Sequence, residues 1–513
     1  MTSENSDKDD PFESISTGVP GLDHILGGGL LAHQLYIVEG DSGAGKTTLA
    51  LQFLLEGMRR GEKTIWCTLS ETESQLLTTA RSHGWDLTGI EICNLAMTEA
   101  SLKADSQYSF FSPGDIELDD VTKAVTSLVE RINPSRVVFD PFSDVRLLAQ
   151  DPLRYRRQVL SLREFFAGRR CTVLLVQELP RGALTSDDNS AEGVVQGVIS
   201  LHQSVPDYGR KRRRLNVHKL RGVRFRDGFH DFSIETGGLR VYPRLVASEH
   251  FDSFTNETIS SGVPELDALL GGGLNRGTSL LAMGPAGVGK STLAGQFAAA
   301  ALRRGERAAF FLFDETSRAF VARSEGLGMG LYQYIKAGQA TLRQVDPAEF
   351  TPGEFAHLVR RVVEQDDTKL VVIDSLSGYL NGMPDERFLS MHLHELLTYL
   401  SYRNTLTILT ANEHGIVGEG LHGAVDVSYL ADAALMLRYF EAFGGVRRAI
   451  SAVKRRMGPH ETLIRELTIA PPGIKIGGPL KDFHGVLTGQ PAFIGSSQHL
   501  GANEAGVGEV GRG

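Results

Sequence analysis

Apolar and polar positions along this chain switch between two periods. Short apolar runs at residues 35–38, 63–69, 136–139 and 171–176 read as buried strands, while Leu49, Phe53, Leu54 and Met58 recur at the spacing of one helix face. The sequence then repeats itself. Runs at 280–283, 307–313, 370–373 and 405–409 predict a second set of strands, with Leu293, Phe297 and Leu302 on the helix between the first two. Strands alternating with helices predict α/β domains with largely parallel sheets covered on both faces, and ligands at the carboxyl ends of the strands.

The repeat extends beyond the pattern to the residues themselves. Gly18-Val19-Pro20-Gly21-Leu22-Asp23, followed by Leu26-Gly27-Gly28-Gly29-Leu30, returns as Gly262-Val263-Pro264-Glu265-Leu266-Asp267 and Leu270-Gly271-Gly272-Gly273-Leu274. Lys46 and Lys290 are 244 positions apart, as are Glu71 and Glu315; Asp140 and Asp374 are 234 apart, so the first copy carries about ten extra residues. A period of this size marks a duplicated domain, not a short-repeat solenoid.

At the turn from first strand to first helix each copy carries GxxxxGK[ST]. Gly40-Asp41-Ser42-Gly43-Ala44-Gly45-Lys46-Thr47-Thr48 is matched by Gly284-Pro285-Ala286-Gly287-Val288-Gly289-Lys290-Ser291-Thr292. Such a loop wraps phosphate oxygens with backbone N–H groups, with the positive end of a helix dipole behind them. Lys46 and Lys290 reach the outer phosphates, and the Thr47 and Ser291 hydroxyls serve Mg²⁺. Gly43, Ala44, Gly45, Lys46, Thr47 and Thr48, with Gly287, Val288, Gly289, Lys290, Ser291 and Thr292, are thus the expected ATP-binding loops.

Phosphoryl chemistry also needs a metal and a carboxylate that orients or deprotonates the attacking oxygen. Asp140 and Asp374, each closing a short apolar strand, are the expected Walker B acids holding magnesium. The strand after the first helix ends Leu69-Ser70-Glu71-Thr72 in one copy and Phe313-Asp314-Glu315-Thr316 in the other. Glu71, Asp314 and Glu315 are the catalytic candidates, against a plain reading of helix caps or surface turns.

Composition narrows the class. The chain has 513 residues, 41% hydrophobic and 22% charged, with 57 glycines, which suits a globular α/β protein with many tight turns. No apolar run is long enough to span a membrane, and residues 1–10 are polar and acidic, unlike a secretory signal or basic transit peptide; a cytoplasmic protein is expected. Cys67, Cys93 and Cys171 form no CxxC, and for the two that sit in strand-like runs a buried hydrophobic role is expected. Net charge of −9 gives no global attraction to nucleic acid or membrane. The run Arg210-Lys211-Arg212-Arg213-Arg214 leaves two readings open, a nucleic-acid contact or a solvated or subunit-facing loop.

The duplicated loops, the strand-end acids, Lys219-Leu220-Arg221-Gly222, Ala80-Arg81-Ser82-His83-Gly84-Trp85-Asp86-Leu87 and Asp374-Ser375-Leu376-Ser377 together resemble the KaiC family, RecA-like ATPases and autokinases of the circadian clock. The resemblance runs from about Phe12 to about Gly478, nearly the whole folded chain. It implies two tandem RecA-like P-loop domains, each a mostly parallel twisted sheet flanked by helices. The expected divisions are 1–11 disordered, 12–247 first ATPase domain, 248–257 linker, 258–488 second ATPase/kinase domain and 489–513 flexible tail. It further implies a homo-oligomer, a hexameric double ring with ATP between subunits. Ser82, Lys219, Leu220 and Arg221 in the first half, with Lys454 and Arg456 in the second, are implied as ATP contacts, the cations reaching a neighbour's nucleotide.

Two departures from the family bear on mechanism. The family pairs glutamates at the strand end, where this chain has Ser70-Glu71 and Asp314-Glu315. Its phosphorylated serine and threonine correspond to Ser428-Tyr429, ahead of Asp432, so Ser428 is the expected phosphoacceptor and a two-site Ser/Thr cycle is not expected. The first half is read as mainly ATPase and assembly, the second as phosphoryl transfer, a serine/threonine autokinase. The alternatives are a RecA-like DNA-associated ATPase and a nucleotide-gated scaffold with little turnover; an accessory regulatory protein is left open.

Overall fold

The computed structural model describes residues 13–95, 113–149, 151–179, 192–252, 255–381, 388–412, 429–442, 444–487 and 492–494. The expectations for residues 1–11, for Ser428 and for most of the tail lie outside them. The chain divides into two compact units, Met1–Arg244 and Leu245–Gly513.

In the first unit β1 (Ser14–Ile15) and β2 (Leu30–Leu31) pair as a small antiparallel ribbon. The main sheet is built from β3 (Leu35–Gly40), β4 (Thr64–Thr68), β5 (Ile90–Asn94), β6 (Arg136–Phe139), β7 (Thr172–Glu178), β8 (Gly197–Ser204), β9 (Arg212–Leu220), β10 (His230–Glu235) and β11 (Gly238–Tyr242). Its order is β11-β10-β9-β8-β3-β7-β6-β4-β5. Neighbours from β8 to β5 run parallel, and β8 to β11 form an antiparallel meander.

The second unit repeats this plan strand for strand. After a ribbon of β12 (Thr258–Ile259) and β13 (Leu274–Asn275) come β14 (Ser279–Gly284), β15 (Arg307–Leu312), β16 (Ala340–Gln344), β17 (Thr368–Asp374), β18 (Leu406–Asn412), β19 (Ala433–Ala442), β20 (Gly445–Arg455), β21 (Arg465–Ala470) and β22 (Gly473–Pro479). Read from the other side, the sheet order β22-β21-β20-β19-β14-β18-β17-β15-β16 matches the first unit position for position. The strands read from the sequence are all present, with ends within three residues of those expected.

Alternation along the central strand explains the three layers. Tyr36 and Val38 pack with Leu49 and Phe53 of the helix Lys46–Arg59, whereas Leu35 and Ile37 pack on the other face with Val159 and Phe166 of the helix Pro152–Ala167. In the second unit Leu280 and Ala282 meet Leu293 and Phe297, and Leu281 meets Phe355 and Leu393. Leu245 and Ala247 are buried in this second core.

One expectation fails here. Of the two readings of the basic run, the solvated or subunit-facing loop does not hold past Lys211: Arg212 is the first residue of β9, buried and paired with Ser204, and Arg213 and Arg214 continue the strand. Strand pairing overrides the polar composition because alternate positions, Leu215 and Val217, fill the core.

Candidate nucleotide sites

Each phosphate loop leaves the central strand of its sheet and turns into a helix capped by glycine, Gly45 before Lys46–Arg59 and Gly289 before Lys290–Arg303. Both caps are left-handed, with φ of 110° and 119°. A β-carbon at Gly45 would lie 2.5 Å from Ile234 Cδ1, and one at Gly289 2.4 Å from Ile469 Cδ1. Backbone and overlying hairpin therefore both demand glycine. Ala44 and Val288 are fully buried beneath the loops, and Thr48 and Thr292 are also buried.

The two lysines fold back onto their own loops. Lys46 Nζ donates to the carbonyls of Gly40 and Asp41, and Lys290 Nζ to those of Gly284 and Pro285, all at 2.8 Å. Burial holds the Lys46 ammonium below its usual range, opposed by Glu178, Asp140 and Asp41. Phosphate oxygens offer such an ammonium stronger partners than carbonyls, so these bonds hold it ready at the loop mouth.

Acids converge on the same mouths from the neighbouring strand ends. Thr47 Oγ1 donates to Asp140 Oδ2 at 2.6 Å. Burial pushes the Asp140 carboxyl up to about 7, with the Thr47 hydrogen bond acting against it. Asp374 is buried as well; its Oδ1 accepts from Thr410 Oγ1, and its Oδ2 has no hydrogen-bond partner among the described residues. A buried carboxylate oxygen without a donor, beside the loop hydroxyl of Ser291, suits a divalent cation that takes its other ligands from phosphates and water.

The strand-end acids differ between units in more than identity. Glu71 follows β4, with its N–H held by Thr68 Oγ1 at 3.0 Å, and burial raises its carboxyl above the usual range. Asp314 instead accepts from Ser375 Oγ, and Glu315 Oε1 accepts from Arg323 Nη1 at 2.5 Å. Among the described residues, then, no cation neutralises the first acid, and the second is tied to one.

Lys46, Thr47, Ser70, Glu71 and Asp140 line one cavity of about 250 Å³, and Lys290, Ser291, Asp314, Glu315 and Asp374 another of about 210 Å³. Sequence reasoning missed Gln177 and Glu178 in the first and Arg323 and Asn412 in the second. Gln177, Glu178 and Asn412 end strands β7 and β18 beside the loop, so extending those apolar runs to their carboxyl ends would have found them.

Other expected contacts do not join their own chain's site. Gly197 pairs with both Tyr36 and Leu220, which puts Lys219, Leu220 and Arg221 at the amino end of the parallel strands, opposite the phosphate loop. There Lys219 Nζ donates to the carbonyls of Glu192 and Val195, and Arg221 to that of Gly193 at 3.0 Å. Lys454 and Arg456 lie at the matching edge, since Ala433 pairs with both Leu280 and Arg455. Ser82 ends the helix Glu73–Ser82, donating to Thr79 O at 2.7 Å, and does not line the cavity.

A duplicated RecA-like α/β core with a phosphate loop, hydroxyl and strand-end acid in each half is what the KaiC ATPase family model describes, and that model matches residues 15–246 and 259–481. The chain belongs to the KaiC family. It is a KaiC-like ATP-binding protein with two copies of the ATPase domain. The circadian clock oscillator protein KaiC of Picosynechococcus sp. is 27% identical over 496 residues, covering 96% of this chain and 95% of the relative. The circadian clock protein KaiC3 of Synechocystis sp. is 25% identical over 492 residues, 95% and 96% of the two chains. KaiC of Synechococcus elongatus is 26% identical over 503 residues, 96% and 95%. Among the described residues no helix is long and apolar enough to cross a membrane.

Proposed function

We propose that this KaiC-family protein hydrolyses ATP at the first site and transfers phosphate to its own chain at the second. The reading rests on one observation: the same loop, hydroxyl and buried acid occur twice, but among the described residues no cation pairs with Glu71 in one, whereas Glu315 is paired with Arg323 in the other. An unpaired, partly buried carboxylate whose proton affinity is raised is the better acceptor for a water proton. Thr47 with Asp140, and Ser291 with Asp374, would hold Mg²⁺. When bound, that ion supplies charge neutralisation at the β- and γ-phosphates.

Ser428 is the proposed acceptor of the second site. Its neighbours Tyr429 and Asp432 sit at the amino edge of the parallel strands: Asp432 Oδ2 accepts from Ser279 N–H at 2.9 Å, and Arg456 Nη2 donates to Tyr429 O at 2.6 Å. Their own phosphate loop is at the other edge, so transfer passes to a neighbouring subunit's acceptor. This favours a ring, proposed as hexameric, with Lys219, Arg221, Lys454 and Arg456 facing the adjacent nucleotide.

The test separates the sites. Lys290→Ala is expected to abolish self-phosphorylation while much of the phosphate release persists, and Lys46→Ala to cut phosphate release. Peptide mapping after incubation with Mg-ATP should place phosphate on Ser428. Self-phosphorylation that survives Lys290→Ala overturns the division, and unmodified Ser428 overturns the acceptor.

A further inference from the structure

Among the described residues each nucleotide cavity is lined by three carboxylates, but not at the same three places. Glu71 and Glu315 correspond, each preceding the threonine that caps the next helix. Asp140 and Asp374 correspond at the ends of β6 and β17. The third acid is Asp314 in the second site and Glu178 in the first.

The two positions are exchanged between the units. Glu178 pairs with Gly40 in the sheet as Asn412 pairs with Gly284. Their N–H groups are held by equivalent serines, Ser143 Oγ at 3.4 Å and Ser377 Oγ at 3.0 Å. Where the second unit has neutral Asn412 the first has an acid, and where the second has Asp314 the first has Ser70.

The surroundings of Ser70 changed with it. Ser375, which donates to Asp314, is replaced by Pro141, which has no hydroxyl. Gly378, where a β-carbon would lie 2.4 Å from Asp314 Oδ1, is replaced by Asp144. The corner that seats an acid in the second site therefore lacks both the donor and the room in the first. Glu178 is exposed, lines the cavity and acts on the Lys46 ammonium.

We propose that Glu178 supplies to the first site the carboxylate that Asp314 supplies to the second, so that Glu71 and Glu178 together hold the water that attacks the γ-phosphate. This rests on the hydrolytic reading of the first site. In the step, the water oxygen bonds to the γ-phosphorus as the bond from that phosphorus to the β,γ-bridging oxygen breaks. ADP leaves with the bridging oxygen, and the water's proton passes to a carboxylate and then to solvent. Two acceptors fix both protons of the water and so aim its lone pair.

The experiment uses the full chain carrying Lys290→Ala, so that phosphate release reports the first site, with ATP affinity read separately from a fluorescent ATP analogue. Glu178→Gln should lower kcat about a hundredfold with affinity within about twofold of the parent, and Glu178→Asp should retain more activity than Gln. Unchanged kcat in Glu178→Gln, or a loss confined to affinity, overturns the assignment. So does a loss of kcat in Asp144→Asn that Glu178→Gln does not share. Absence of phosphate release from the Lys290→Ala parent would instead remove the hydrolytic reading and this assignment with it, a result distinct from a hydrolysing parent indifferent to Glu178.

Discussion

At the scale of single residues, burial decides which charges this protein tolerates. His230 is fully buried; its Nδ1 accepts the Arg244 N–H at 2.9 Å, and its Nε2 lies 3.0 Å from the Arg226 carbonyl. That arrangement holds a neutral ring donating from Nε2, and burial lowers the histidine to about 4. Between the unfolded value near 6.5 and about 4 the unfolded chain binds the extra proton, so stability rises with pH across that window and falls on acidification. Going from pH 7.5 to pH 5 should cost the first unit about 2 kcal/mol through this residue. Urea titrations at both pH values, on the parent and on His230→Gln, measure it; equal pH dependence in the two proteins would remove His230 as the cause.

Elements carry the site by where they begin and end. Thr72 caps the helix Glu73–Ser82 by accepting from Gln75 N–H at 3.3 Å, while the Gln75 side chain accepts from Thr72 N–H at 2.9 Å. Glu71 is the residue before this box, so the cap also fixes the direction of the candidate base. Thr316 accepts from Ala319 N–H at 3.2 Å without the reciprocal bond. Thr72→Ala should cost about 1 kcal/mol, and more than Thr316→Ala, read as the fall in Tm; it should also slow first-site phosphate release more than it weakens ATP affinity. Equal costs for the two substitutions would deny the box its role.

Element ends also mark how far the sequence could be read. The phosphate loops were legible because phosphate binding needs consecutive backbone N–H groups, so the whole motif lies in one stretch of chain. Asp140, Asp374, Glu71 and Glu315 were legible because each ends an apolar run and recurs in register. Glu178 lies two positions past the apolar run 171–176, so the run marks where to look, but its place beside Gly40 depends on the pairing of β3 with β7, which no local pattern records. Arg323 was hidden for a different reason. It reaches Glu315 from two turns along a helix, and the sequence does not say which exposed helix position folds over the strand end. The basic run at residues 210–214 misled in the opposite direction, since charge suggested a loop where the buried alternate positions make a strand.

At the scale of the whole molecule, what matters is that each unit keeps its phosphate loop and its candidate accessory cations at opposite ends of the parallel strands. Lys219 and Arg221 lie at the start of β8 and β3, and Lys46 follows the end of β3. Side chains cannot cross a sheet's length, so in the proposed ring these cations would serve a nucleotide bound by another subunit. A subunit lacking Lys46 and a subunit lacking Arg221 then fail for complementary reasons. In a mixed ring, the Arg221 of a Lys46→Ala subunit faces an intact phosphate loop on a neighbouring Arg221→Ala subunit, and some sites are whole again. With second sites silenced by Lys290→Ala, each variant alone should release phosphate at a small fraction of the parent rate. Equimolar mixtures, with subunits allowed to exchange, should recover roughly a quarter of it, because random neighbours assemble one competent interface in four when cations act in trans. Recovery should vanish if the subunits are crosslinked before mixing. Activity of the mixture equal to the average of its parts would mean that each site is complete within one chain, and the ring would lose its catalytic purpose.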